Sequence, residues 1–96
     1  MAAYVIVDMA VKDAVKIEEY RKLAGASVAA HGGKFLVRGG RIEILDGDWK
    51  PQRVVVIEFP GMEQAQRWRT SPEYGTACAI RDRAATTRMV LVEGAA

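Results

Sequence analysis

Arg53-Val54-Val55-Val56-Ile57-Glu58-Phe59, closed by Pro60-Gly61, is the stretch that decides the fold. The β-branched run has strand length, and proline followed by glycine ends it. Successive side chains of a strand point to opposite faces, so Val54 and Val56 share one face while Val55 and Ile57 share the other. Both faces are apolar. A strand with one wet face alternates apolar with polar residues, so this one is expected to be covered on both sides.

Working outward, residues 4–11 form another β-branched run, and Asp13 is placed to cap a helix that continues to about His31. Ile17, Tyr20, Ala24, Val28 and His31 fall on one face of that helix. Gly32-Gly33 stops it, and residues 34–38 read as a second strand. Gly39-Gly40 is expected to bend or bulge that strand before a continuation over 41–45, with the turn formers of 46–51 closing a hairpin onto the 53–59 strand. Residues 62–70 read as a helix. Ser71-Pro72-Glu73 restarts it, with a serine N-cap, proline at the first position and an acid in the first turn, to about Ala84. Residues 86–93 form the last strand.

The order is β-α-β-β-α-β. Right-handed crossovers put both helices on one face of a four-stranded sheet, and the hairpin makes the second and third strands antiparallel neighbours. The reading is an α+β, ferredoxin-like domain over residues 1–96, with an antiparallel sheet in strand order 4-1-3-2. Its helices cover one face only. Val5-Ile6-Val7, Phe35-Leu36-Val37 and Met89-Val90-Leu91-Val92 repeat the two-faced apolar pattern. An uncovered apolar face forfeits about 25 cal/mol per Å², and a chain of 96 residues has no third layer to offer. A second copy packed sheet to sheet, as a symmetric homodimer, is the simplest cover; the alternative is another protein or tolerated exposure.

Composition narrows the function classes. A net charge of +2 gives no electrostatic reason to expect nucleic acid or an anionic membrane as partner. The first residues lack both a basic leader and an unbroken apolar run, so neither a signal peptide nor a membrane span is expected, and a cytoplasmic location is the default. One cysteine, Cys78, and one histidine, His31, are too few for a zinc or copper site. Gly39-Gly40 lacks the sequel of a phosphate loop, and the third strand lacks the interleaved aromatics of an RNA-binding sheet. The expectation is a protein with no metal, no cofactor and no nucleic-acid or membrane partner.

The run Gly32-Gly33-Lys34-Phe35-Leu36-Val37-Arg38-Gly39-Gly40, then residues 47–60 around Trp49, Pro51 and Glu58, then Trp68, Ser71-Pro72-Glu73-Tyr74 and Val92-Glu93-Gly94, resembles the family called domain of unknown function 1330. One departure is Arg69, where the family pattern suggests an aromatic. The resemblance implies a dimeric α/β barrel, in which two ferredoxin-like sheets pair around a shared core. Relatives in that superfamily include cofactor-independent monooxygenases, haem-degrading enzymes, muconolactone isomerases and ligand binders. Fold alone does not choose among these.

Counting across the expected hairpin puts Arg38 close to Glu58 and Phe59, with His31 and Tyr4 at the same end of the sheet. An arginine, a carboxylate, an imidazole and a phenol beside apolar walls would suit a small molecule, with Arg38 orienting an anionic or carbonyl group and His31 or Glu58 moving a proton. The same residues also read as structural. Arg38 and Glu58 can be an ion pair in a mostly buried sheet, and His31 a favourable charge at a helix end. Trp49, Trp68 and Tyr74 either pack the core or the dimer seam, or line a pocket. Asp8 and Arg88 face each other if the first and last strands are antiparallel neighbours. Arg81, Arg83 and Arg88 read as a solvated basic face. Two functions remain open: a small-molecule binder or cofactor-free enzyme with its pocket between helices and sheet, and a structural or regulatory dimer without one.

Overall fold

The computed structural model describes residues 1–95. Its strands are β1 (Ala3–Val11), β2 (Lys34–Arg38), β3 (Val54–Phe59) and β4 (Ala85–Glu93), and its helices are α1 (Lys16–Ala30), α2 (Met62–Arg69) and α3 (Pro72–Ala84). They build one antiparallel sheet in the order β2-β3-β1-β4. This is the ferredoxin-like arrangement expected from the sequence.

The caps follow the chemistry of the residues. Asp13 Oδ1 accepts from the backbone N–H of Val15 (3.1 Å) and Lys16 (3.0 Å), satisfying two donors that the first turn of α1 leaves free. These bonds, chiefly that from Lys16, hold its carboxyl below the usual range. Ser71 Oγ accepts from Tyr74 N (3.2 Å) at the start of α3, with Pro72 at the first helical position.

The core lies between the sheet and the helices. Ala3, Val5, Val7 and Met9 of β1 alternate inward with Ile57 and Phe59 of β3, and meet Ile17, Tyr20, Ala24 and Val28 of α1. Phe59, Trp68 and Tyr74 form an aromatic row, with ring centroids 5.3 Å and 4.1 Å apart. Gly33 lets the turn after α1 press against that row, because a Cβ there would sit 2.6 Å from Phe59 Cε1.

One expectation fails in the hairpin. β2 ends at Arg38, and residues 39–53 carry no strand, so the continuation over 41–45 does not form. Gly39, at φ +75°, turns the chain away after a last bond from its N–H to Val54 O (2.9 Å). Arg53 fills the space beside it, since a Cβ on Gly39 would lie 2.0 Å from Arg53 Nη1. The long loop sets Lys34 opposite Glu58, and the irregularity in the ladder, between Phe35 and Val37, then sets Arg38 opposite Val55. Arg38 therefore does not meet Glu58.

The face turned from the helices carries an apolar stripe across all four strands. Val37 pairs with Val56, Val56 with Ile6, and Ile6 with Val90. Val90 and Val92 are 56% and 47% exposed.

Candidate functional site

Opposite faces of the sheet separate the residues that the sequence suggested as one site. Tyr4 and Glu58 lie on the helix-free face, where the Tyr4 hydroxyl donates to Glu58 Oε2 (3.1 Å) and Lys34 Nζ stands 3.2 Å from Glu58 Oε1. The hydrogen bond to Glu58, and then its charge, push the Tyr4 hydroxyl above the ordinary phenol range. Arg38, Trp68 and Tyr74 belong to the helix side. His31 caps the end of α1, with Nδ1 2.9 Å from Ser27 O, and is not among the residues of the pocket described next. The proposed meeting of Arg38, Glu58, His31 and Tyr4 is thus corrected by the register of β2, which is set by a bulge and a long loop rather than by a tight hairpin.

On the helix side, a cavity of about 40 Å³ lies between α1 and the sheet. Val7, Met9, Val55 and Ile57 make its floor, Tyr20, Ala24 and Val28 its roof, and Phe35, Trp68 and Met89 its ends. Arg21, Arg38 and Arg53 complete the lining. Each has a local reason to be there. Arg53 shares the inward face of its strand segment with Val55 and Ile57. Arg21 follows Tyr20 on the buried side of α1. The Arg38 guanidinium carbon lies 4.1 Å from the centre of the Phe35 ring, and Gly25 of α1 is beside it, where even a Cβ would make only ordinary contact with Arg38 Nη2 at 3.5 Å. Arg53 Nη2 donates to Arg38 O at 3.4 Å. Burial, and then the charges of Arg21 and Arg38, pull the Arg53 guanidinium below its ordinary value.

The sequence reading missed a buried polar network behind this cavity. The Tyr20 and Tyr74 hydroxyls are 2.9 Å apart, Arg81 Nη1 donates to Tyr74 Oη (3.1 Å), and Trp68 Nε1 donates to Ser27 Oγ (3.0 Å). Arg81, read from the sequence as solvated, is only 8% exposed. The spacing of Tyr74, Ala77, Arg81 and Ala84 was the available signal, because it puts Arg81 on the inward face of α3. Beyond Trp68 and Met89 a wider cleft of about 420 Å³ runs beside β4, with Arg69, Arg81 and Thr87 in its wall. It is more open than the cavity under α1. Its arginines are already engaged, Arg81 with Tyr74 and Asp82, and Arg69 over the Tyr74 ring.

On the helix-free face, Asp8 and Arg88 do lie opposite each other in register. Asp8 Oδ2 instead accepts from Trp49 Nε1 (3.0 Å), which draws the hairpin loop over that end of the sheet. Trp49 remains 54% exposed there.

The domain of unknown function 1330 (DUF1330) family matches residues 2–95. The chain belongs to this family. No curated protein matches the sequence. Among solved structures, a protein of unknown function from Rhodopseudomonas palustris is similar to this DUF1330 chain with a TM-score of 0.80 at 18% identity, covering 99% of this chain and 83% of that one. SnoaB, a cofactor-independent oxygenase from Streptomyces nogalater, gives a TM-score of 0.66 at 13% identity, covering 99% and 94%. A dimeric ferredoxin-like protein of unknown function from Thermobifida fusca gives 0.66 at 17%, covering 98% and 92%. At these identities the likeness establishes the fold that the DUF1330 chain shares with them. No helix among the described residues is long and apolar enough to cross a membrane.

The buried tyrosines give a pH dependence. Burial pushes both the Tyr20 and the Tyr74 hydroxyls above the ordinary phenol range. An unfolded phenol ionises near pH 10. The stability linked to this pair is therefore fully present below about pH 10 and is lost as the pH rises through the higher folded values. In a Tyr4→Phe variant, which leaves only these two tyrosines, phenolate absorbance should appear together with the loss of near-ultraviolet circular dichroism. Phenolate appearing while the fold persists would contradict the buried pair.

Proposed function

We propose that this DUF1330 protein works as a homodimer in which each copy holds a small, largely apolar molecule in the cavity beneath α1. The observation that carries the binding part is the lining of that cavity: apolar walls with a group of arginines at one side. Small-molecule sites have this character, mostly apolar surface with a few placed polar groups. At about 40 Å³ the cavity suits a few heavy atoms, and displacement of the long Arg21, Arg38 and Arg53 side chains can enlarge it. Its polar groups favour holding over proton transfer. Guanidiniums stay charged, and the Tyr20 hydroxyl is occupied by Tyr74. The sites expected from the sequence divide accordingly: Arg38 and Trp68 line the cavity, Tyr74 supports it, and Tyr4, Glu58 and His31 serve structure.

The dimer rests on the stripe Val37-Val56-Ile6-Val90 and on the exposed Val92 beside it. Burying such a stripe returns about 25 cal/mol per Å², and the similar Thermobifida fusca protein is described as dimeric. A reducing, cytoplasmic setting accords with the free Cys78.

Sedimentation equilibrium should give twice the chain mass for the wild type at micromolar concentration and a monomer for Val56→Glu, which would bury an unpaired charge in the seam. A monomeric wild type would remove the dimer from this account. For the cavity, butan-1-ol, butyrate and butylammonium serve as small probes with one tail and different heads. Saturation-transfer NMR should detect at least one of them on the wild type, and none on Ala24→Phe, whose ring fills the roof. Failure of all three on the wild type, or equal binding to Ala24→Phe, would sink the cavity as the site.

A further inference from the structure

Arg38 and Arg53 present charge that the fold does not neutralise. Of the arginines at the cavity, Arg21 has a carboxylate partner, Glu18, whereas Arg38 and Arg53 have none within ion-pair distance among the described residues. Two like charges beside an apolar cavity repel each other, and part of their hydration is lost to the walls.

Arg38 is exposed and Arg53 half-buried, yet each has a defined neighbour in the fold. The Arg38 guanidinium carbon stands 4.1 Å from the centre of the Phe35 ring, with Gly25 of α1 beside it. Arg53 is anchored on the Arg38 carbonyl and fills the niche beside Gly39, a residue whose positive φ already suits glycine. A solvated basic patch requires neither the ring beside Arg38 nor the niche at Gly39 that Arg53 fills. A guanidinium is a planar fork of N–H donors that matches a carboxylate with two parallel hydrogen bonds, and Arg53 uses only Nη2 within the chain, on Arg38 O. Behind the forks the cavity is apolar, with Val55, Ile57 and Met89 among its walls, and so has no polar partners for a second charged group.

We infer that the cavity under α1 selects small monocarboxylates with an apolar tail, gripped at the carboxylate by Arg38 and Arg53. This rests on the cavity being the binding site, and it adds the ligand class and the two residues that determine it. Arg21, already paired with Glu18, contributes long-range attraction rather than a grip. A single negative charge offsets the repulsion between the two free guanidiniums while the tail displaces water from the walls. Inorganic phosphate would satisfy the guanidiniums but leave the apolar part unused, and an ammonium head would add to the repulsion.

Titration of the wild type at neutral pH and constant ionic strength, followed by NMR, tests this with butyrate, butan-1-ol, butylammonium and inorganic phosphate. Butyrate should bind about tenfold or more tighter than butan-1-ol, the difference expected for hydrogen bonds to a charged group. Arg38→Gln and Arg53→Gln should each remove most of that advantage, so that the ratio of butyrate to butan-1-ol affinity falls toward one. Alcohol binding that persists shows that the variants keep the cavity. If Arg53→Gln does not fold, Arg38→Gln carries the test, because Arg38 lies over the Phe35 ring and bridges no strands with its side chain. Equal binding of butan-1-ol and butyrate would overturn the inference and leave the cavity standing as a site. So would phosphate matching butyrate, or glutamine variants with full butyrate affinity. Absence of binding by every probe would instead overturn the cavity itself, and this inference with it.

Discussion

Helices cover this sheet on one side only, and the rest of the molecule answers to that constraint. β1 and β3 are apolar on both faces, so the chain buries Val5, Val7, Ile57 and Phe59 under its helices and leaves Ile6, Val56 and Val90 as a stripe on the other side. A chain this short buries only about 60–65% of its unfolded surface, so an unused apolar face is a sizeable loss. The outer polar residues sit away from the stripe. Lys34, Glu58 and Tyr4 form one group, and Asp8 with Trp49 another. Apolar centre and polar flanks are the usual anatomy of a protein interface.

The inner face has a different character. Its core is tightly filled at the Phe59, Trp68 and Tyr74 end and looser where Ala24 faces Val55 and Met89. The Tyr20–Tyr74–Arg81 network holds α1 against α3 behind that looser region, and Trp68 reaches Ser27 to hold α2 against α1. Fully satisfied buried networks of this kind fix the geometry around a cavity. The arginines stand at its other side, where the β2–β3 loop leaves the sheet. Rigid support behind and long, displaceable side chains in front suit a site that must admit a molecule and then hold it.

Most of the fold was legible because it depends on patterns with a fixed period. Alternation in 53–59 gave a two-sided strand, the Ile17, Tyr20, Ala24 and Val28 spacing gave the buried side of α1, and Ser71-Pro72 gave the break between α2 and α3. The register of β2 was not legible, because it depends on a bulge at Leu36 and on a loop whose turns have no periodic signature. That register sets Arg38 opposite Val55 instead of Glu58 and takes it out of the site first suggested, while Tyr4 and Glu58 still meet. Arg53 could have been found from the same alternation that identified β3, which puts it on the face of Val55 and Ile57. Arg81 could have been found from helical spacing, but a charged residue on an inward face is outweighed in a sequence by the ordinary rule that arginines are exposed. Its burial depends on Tyr74 and Tyr20 meeting from two helices, a tertiary fact.

The central claim, that the cavity under α1 is where a small molecule binds, has a built-in reporter. Of the four methionines, Met9 and Met89 line the cavity, while Met1 and Met62 do not. With the methionine methyl groups labelled with carbon-13, addition of butyrate should shift the Met9 and Met89 signals and leave those of Met1 and Met62 in place. Shifts confined to Met1 and Met62, or no shift at Met9, would contradict it.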